Sequence, residues 1–157
     1  MAQVMNAKDA VSAKLAECYV TIDGNRYLLM QGKKFEAKFE KEKTKVPILG
    51  KTGQGNKSTT WNGTGSMTIY HNTDIFDQLM LTFKNDGKDI YFDVQVTNED
   101  PTSAAGRQTM VFKGCNINGG VLAAFDAAGE FLEQEVEFTY EDFEIQEAFT
   151  ALEGMRV

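Results

Sequence analysis

The alternation of apolar and polar positions changes character several times along the chain, and each change predicts an element. Residues 1–14 scatter apolar side chains among polar ones with no period, which predicts an N-terminal arm or short helix rather than a core element. From Leu15 the pattern becomes β. Glu17-Cys18-Tyr19-Val20-Thr21-Ile22 and Arg26-Tyr27-Leu28-Leu29-Met30 flank Asp23-Gly24-Asn25, the signature of a hairpin. Phe35, Ala37 and Phe39 then alternate with Lys34, Glu36, Lys38 and Glu40, so a strand here carries one apolar face and one charged face. A helix would leave Phe35 and Phe39 as the only apolar anchors in about three turns, and the strand is favoured.

Residues 44–62 are rich in Gly, Lys, Ser and Thr and predict an extended polar loop. Strand character resumes over Gly63 to His71. Asn72-Thr73-Asp74 then opens a helix over 73–85, in which Ile75, Phe76, Leu79, Met80 and Phe83 recur at helical spacing before Asn85-Asp86-Gly87 ends it. Further strands are expected from Ile90 to Val96, from Arg107 to Ile117, over Val121 to Phe125, and from Glu130 to Ile145. The last places Val136, Phe138 and Tyr140 opposite Glu133, Glu135, Glu137 and Thr139, and its phase slips at Glu141-Asp142, as at a bulge or strand end. Seven or eight strands and one helix in a single domain over 1–157 point to a mainly β (α+β) fold, a β-sandwich or partial barrel with a flanking helix. Such a sheet leaves edges open, a first hint of assembly.

Composition narrows the function classes. The net charge of −7 argues against a protein that works by neutralising nucleic-acid phosphates. No apolar run approaches a membrane span, and MAQVMNAKDAVSAK lacks the basic-then-apolar order of a signal peptide, so folding in a cytoplasm and no membrane insertion by this chain are expected. Cys18 and Cys115 have no CxxC spacing and only one His accompanies them, so they read as plain buried thiols.

Candidate chemistry is sparse. Gly50-Lys51-Thr52-Gly53-Gln54-Gly55-Asn56-Lys57-Ser58 imitates a phosphate-binding loop, but Asn56 occupies the lysine position. The segment after it, Thr59 to Gly65, is β-branched and Gly-rich and offers no helix N-terminus for a phosphate. His71 lies between a strand and a helix start, which favours a surface or capping role over a general base. The acidic residues Glu130, Glu133, Glu135, Glu137, Glu141, Asp142 and Glu144 leave a glycosidase-like pair open by residue type, while spacing by two makes them a solvated strand face first. No catalytic, metal or cofactor residue is nominated.

Three segments carry a resemblance. KKFEAKFEKEKTKVPILGK, WNGTGSMTIYHNTDIF and LEQEVEFTYEDFEI resemble the tail tube proteins of contractile-tailed phages, especially those of PBSX-like defective prophages. The likeness covers most of residues 15–147, and its sharpest elements are the NGTG strand and the FTYEDF string. It implies a protomer that forms hexameric rings stacking into a hollow tube, with strands of six copies closing a ring-wide β-barrel. Contractile bacteriocin and type VI secretion tubes are related. It further implies partnership with sheath, baseplate or initiator, tape-measure and tail terminator proteins, transient passage of DNA or other cargo, and a place in the tail of a virion or tail-like particle assembled in the bacterial cytoplasm. Glu36, Glu40, Glu133, Glu135 and Glu137 then become candidate lumen residues, with Lys34 and Lys38 tempering their charge. The 44–62 loop becomes an inter-subunit segment, with Lys45, Lys51, Gln54, Asn56, Lys57 and Trp61 as candidate ring-stacking residues. The competing reading is a monomeric β-sandwich binding module or carbohydrate-active enzyme.

Overall fold

The computed structural model describes residues 3–156, so the first two residues of the expected arm lie outside the described residues. In chain order the elements are a 3-10 turn (Ala7–Asp9), β1 (Ala16–Ile22), β2 (Asn25–Leu28), β3 (Gly32–Pro47), β4 (Gln54–Tyr70), α1 (Ile75–Asp86), β5 (Phe92–Glu99), β6 (Arg107–Gly120), β7 (Glu133–Tyr140) and β8 (Asp142–Glu147). Among the described residues the fold is thus mainly β with one α-helix, and every strand pairing is antiparallel. Its contacts fall into two compact units. One comprises the chain up to Met30, Ile90–Cys115 and the chain from Asp142; the other comprises Gln31–Asp89 and Asn116–Glu141. No linker composition marks this division, because each unit is assembled from discontinuous segments.

The first unit holds the strand order β2-β1-β5-β6-β8, to which β6 contributes residues 107–115. Val20, Phe92, Val94 and Cys115 are its most deeply buried side chains. The expected arm is tied down by polar contacts. Ser103 Oγ donates to the Asp9 carbonyl at 2.8 Å, Ala104 N–H to Asp9 Oδ1 at 3.1 Å, and Ser12 N–H to Asp100 Oδ2 at 3.0 Å.

The second unit holds the order β6-β7-β4-β3, with 116–120 of β6 at one side. Its inner face is built from Met67, Ile69, Val136, Phe138 and Tyr140, and α1 contributes Phe76 and Leu79 to the core. The helix ends where Gly87 adopts φ 65° and its N–H caps the Phe83 carbonyl.

Three sequence expectations are corrected. Residues 44–62 are not a loop: β3 and β4 stay paired from Gly32↔Ile69 to Pro47↔Gln54, and only 48–53 form the turn. Both faces of this outer stretch meet solvent, so the apolar alternation that reveals a half-buried strand is missing from its sequence. Residues 121–125 form no strand; a single backbone bond, Val121 N–H to the Glu135 carbonyl at 3.3 Å, touches β7 there. The expected strand from Glu130 to Ile145 is two strands, β7 and β8, which part at Glu141 where the alternation slips.

Candidate functional site

In the second unit the register of β3, β4 and β7 stacks the side chains of each face into rows. On the inner face Gly63 stands opposite Tyr140, and Gly65 opposite Phe138. A Cβ at either glycine would lie 2.4 Å from the facing ring, far inside van der Waals contact, so only glycine lets these aromatics lie flat across β4. Tyr140 also donates its hydroxyl to the Lys38 carbonyl at 2.7 Å, reaching across β4 to β3. Phe35 packs near Phe138 with ring centroids 6.0 Å apart, and Trp61 stacks on Phe39 at 5.1 Å and lies 6.1 Å from Tyr140. The NGTG and FTY strings, far apart in sequence, are therefore two halves of one packing motif.

The outer face carries the charges. Glu36, Ser66 and Glu137 form one row, Lys34, Thr68 and Glu135 the next, and Lys38, Thr64 and Thr139 another. Glu40 sits opposite Asn62. Glu133 stands opposite Tyr70 and pairs with Lys33, and Lys38 pairs with Glu36 at 3.2 Å. The five candidate lumen residues, Glu36, Glu40, Glu133, Glu135 and Glu137, are thus all exposed and share one face with lysines among them. At physiological ionic strength such a face repels phosphate only within a Debye length of about 8 Å.

Beyond β7 the β3–β4 hairpin continues as a two-stranded ribbon, because β7 pairs β4 only over Gly63–Tyr70. At roughly 3.3 Å per residue, Lys41 to Pro47 alone carries the ribbon about 23 Å past the sheet. Lys45 pairs with Asn56, Thr44 with Lys57 and Pro47 with Gln54, while Lys51 lies in the turn. Five of the six stacking candidates therefore occupy the outer ribbon. Trp61 sits at its base, half covered by its stack on Phe39. Glu42 holds the ribbon together, accepting bonds from Thr60 Oγ1 at 3.3 Å and Asn62 Nδ2 at 3.1 Å.

His71 departs from its expected surface position. Its side chain is 9% exposed and its Nε2 lies 3.0 Å from Asp77 Oδ2, while the Gln134 amide donates to Asp77 Oδ1 at 2.6 Å and to the Val121 carbonyl at 2.8 Å. Burial alone would raise the Asp77 carboxyl, but the hydrogen bonds from His71 and Gln134 outweigh it and hold the group below its ordinary value. His71, Asp74 and Asp77 bring their polar atoms within 4.8 Å of one another. Both carboxylates stand at the start of α1, where the positive end of the helix already favours them, and the cluster braces helix against sheet. The glutamates on either side of it in sequence concealed Gln134, which alternation places on the buried face of β7 with Val136 and Phe138. Among the described residues no helix is long and apolar enough to cross a membrane.

Comparison with known proteins bears on what these surfaces serve. Residues 3–147 match a family model described as phage tail tube protein. The chain is 35% identical over 143 residues to the phage-like element PBSX protein XkdM of Bacillus subtilis (strain 168), covering 91% of this chain and 95% of that protein. Its fold is similar to a chain of the anti-feeding prophage baseplate, with a TM-score of 0.66, 12% identity and coverage of 87% and 94% of the two chains. It is also similar to the SPP1 tail tube, with a TM-score of 0.60, 11% identity and coverage of 87% and 78%. The chain belongs to the phage tail tube protein family and is a structural subunit of the tube of a phage tail or tail-like particle.

Proposed function

We propose that copies of this chain close into six-membered rings that stack into the hollow inner tube of a contractile tail or tail-like particle. The observation that carries this reading is the unfinished state of the β3–β4 hairpin. Among the described residues β3 pairs with β4 and with no other strand over its 16 residues, and its outer part, Lys41 to Pro47, belongs to the ribbon exposed on both sides. A free edge of that length is an aggregation hazard for a monomer and a joining surface for a ring. Six-fold closure is supported by the anti-feeding prophage baseplate, which is described as 6-fold symmetrised.

In such a ring the charged face of β3, β4 and β7 lines the bore. Carboxylates from Glu36, Glu40, Glu133, Glu135 and Glu137 discourage adsorption of a passing polyanion, and the interspersed lysines keep the field short-ranged, so DNA or other cargo slides without sequence-specific binding. The ribbon reaches the neighbouring ring through Lys45, Lys51, Gln54, Asn56 and Lys57. Sheath, baseplate or initiator, tape-measure and terminator proteins are the partners of such a tube. Electron microscopy of the purified chain tests the reading: hollow tubes with six-fold end views are expected, and a species that stays at 17.5 kDa at high concentration contradicts it.

A further inference from the structure

The ribbon ends in an ordered apolar tip. Lys51 N–H bonds the Ile48 carbonyl at 3.2 Å, and Gly50 at φ 84° takes the third position of this turn, which sets Leu49 at its corner. Leu49 is fully exposed and Ile48 is 42% exposed, with Lys45 and Lys51 on either side. Ile48 and Leu49 thus present an aliphatic corner at the end of the ribbon, free in the single chain to meet a receiving surface.

The second unit also carries a cleft of matching character. An open cleft of about 390 Å³ is lined by Phe125, Phe131 and Leu132 together with Asp126 and Glu130. Phe125 is 96% and Phe131 75% exposed. The cleft is built rather than slack: Gly129 N–H bonds the Asp126 carbonyl at 3.0 Å, and Phe131 meets the Tyr70 ring edge-on at 6.1 Å.

Tip and cleft lie at opposite ends of one strand. The cleft adjoins Tyr70, which faces Glu133 and whose neighbour His71 N–H bonds the Leu132 carbonyl at 2.9 Å. The tip adjoins Gln54 at the other end of the 17-residue β4, 16 residues from Tyr70, or roughly 53 Å at strand rise. A tip cannot fill the cleft at the far end of its own strand. A second copy, displaced along the strand in the same orientation, brings its tip to that cleft.

We infer that the Ile48–Leu49 tip of one copy seats in the Phe125–Phe131 cleft of the next, with Lys45 and Lys51 facing Asp126 and Glu130. The inference rests on the stacking reading and names the receiving surface. Such a contact is head-to-tail, so it propagates as an open stack rather than closing a dimer.

The test mixes two populations of full-length chain, one carrying Leu49→Cys and one carrying Phe131→Cys, under polymerising conditions and mild oxidation. Cys18 and Cys115 are desolvated, with thiols pushed up to about 12, and stay silent. A cross-linked pair that needs both populations is expected. Lys45→Glu with Lys51→Glu should raise the concentration needed for pelleting about tenfold, and Asp126→Lys with Glu130→Lys in the same chain should restore it. Matching unfolding midpoints, read from Trp61 fluorescence, establish that each variant is folded. Wild-type polymers without the mixed cross-link and without response to charge reversal would overturn the tip-in-cleft contact while leaving stacking intact. A wild-type chain that never polymerises would overturn both.

Discussion

Gly63→Ala probes the packing motif that joins the NGTG and FTY strings of this chain at its tightest point. The added Cβ would fall 2.4 Å from both Cε2 and Cζ of Tyr140, whereas carbon atoms rest about 3.5–4.0 Å apart. The ring must therefore retreat by more than an ångström. That movement strains the core, at about 1–3 kcal/mol for overpacking, and breaks the Tyr140 hydroxyl bond to the Lys38 carbonyl, worth about 0.5–1.5 kcal/mol. Together these give a loss of about 1.5–4.5 kcal/mol, or roughly 3–18 °C in Tm for a chain of this size. Trp61 is the only tryptophan and lies 6.1 Å from Tyr140, so its fluorescence during urea unfolding reports on this neighbourhood. Ser66→Ala, on the outer face of the same strand, serves as the near-neutral control. If Tyr140→Leu is introduced first, the penalty of Gly63→Ala should shrink, because the clashing ring is gone. A Gly63→Ala protein within about 0.5 kcal/mol of wild type would refute the interlocking of these two strands.

Three further outcomes follow from the same structure. Excising residues 44–57 and joining Lys43 to Ser58, which are paired, through a two-residue Asn-Gly turn should leave the unfolding midpoint nearly unchanged and abolish long tubes; normal tubes in negative stain would show that the ribbon is dispensable. The Asp100 carboxyl is held below its ordinary value by the Thr102 hydroxyl, then by the backbone N–H groups of Thr102 and Ser12, so the arm docking it supports is complete above about pH 3.9 and is lost as pH falls through the lower folded-state value. Amide exchange at Ser12 should rise over that window and be fast at every pH in Asp100→Ala; equal protection in the variant would dismiss the anchor. Burial pushes the Cys18 and Cys115 thiols from 9.0 up to about 12, leaving on the order of a thousandfold less thiolate at neutral pH, so iodoacetamide should label neither thiol in the native chain and both in urea. Rapid native labelling of Cys115 would contradict its burial.

Much of this architecture was legible in the sequence wherever one side of an element is buried. The alternation of Phe35, Ala37 and Phe39, and of Val136, Phe138 and Tyr140, marks strands because their other faces are wet. Helical spacing of Phe76 and Leu79 and the stop at Gly87 place α1 for the same reason. The ribbon escaped because Lys41 to Pro47 and Gln54 to Asn62 are solvated on both faces, so their strand pairing leaves no hydrophobic period and their composition imitates a loop. Val121 to Phe125 misled in the opposite sense: its apolar run signals burial, yet Leu122 and Phe125 are exposed in the single chain. The partnership of the NGTG and FTY strings was likewise invisible, since it depends on a register between strands about 75 residues apart.

In the proposed function one copy is an incomplete structure, finished by its neighbours. Cryo-electron microscopy of the purified full-length chain after concentration tests it most directly. Hollow tubes of six-fold rings are expected, in which the outer edge of β3 is paired with the next copy, the ribbon tip rests on the ring above or below, and the Glu36, Glu135 and Glu137 face lines the bore. Particles that remain single 17.5 kDa chains, or rings in which the β3 edge stays bare and the glutamate face points outward, would contradict it.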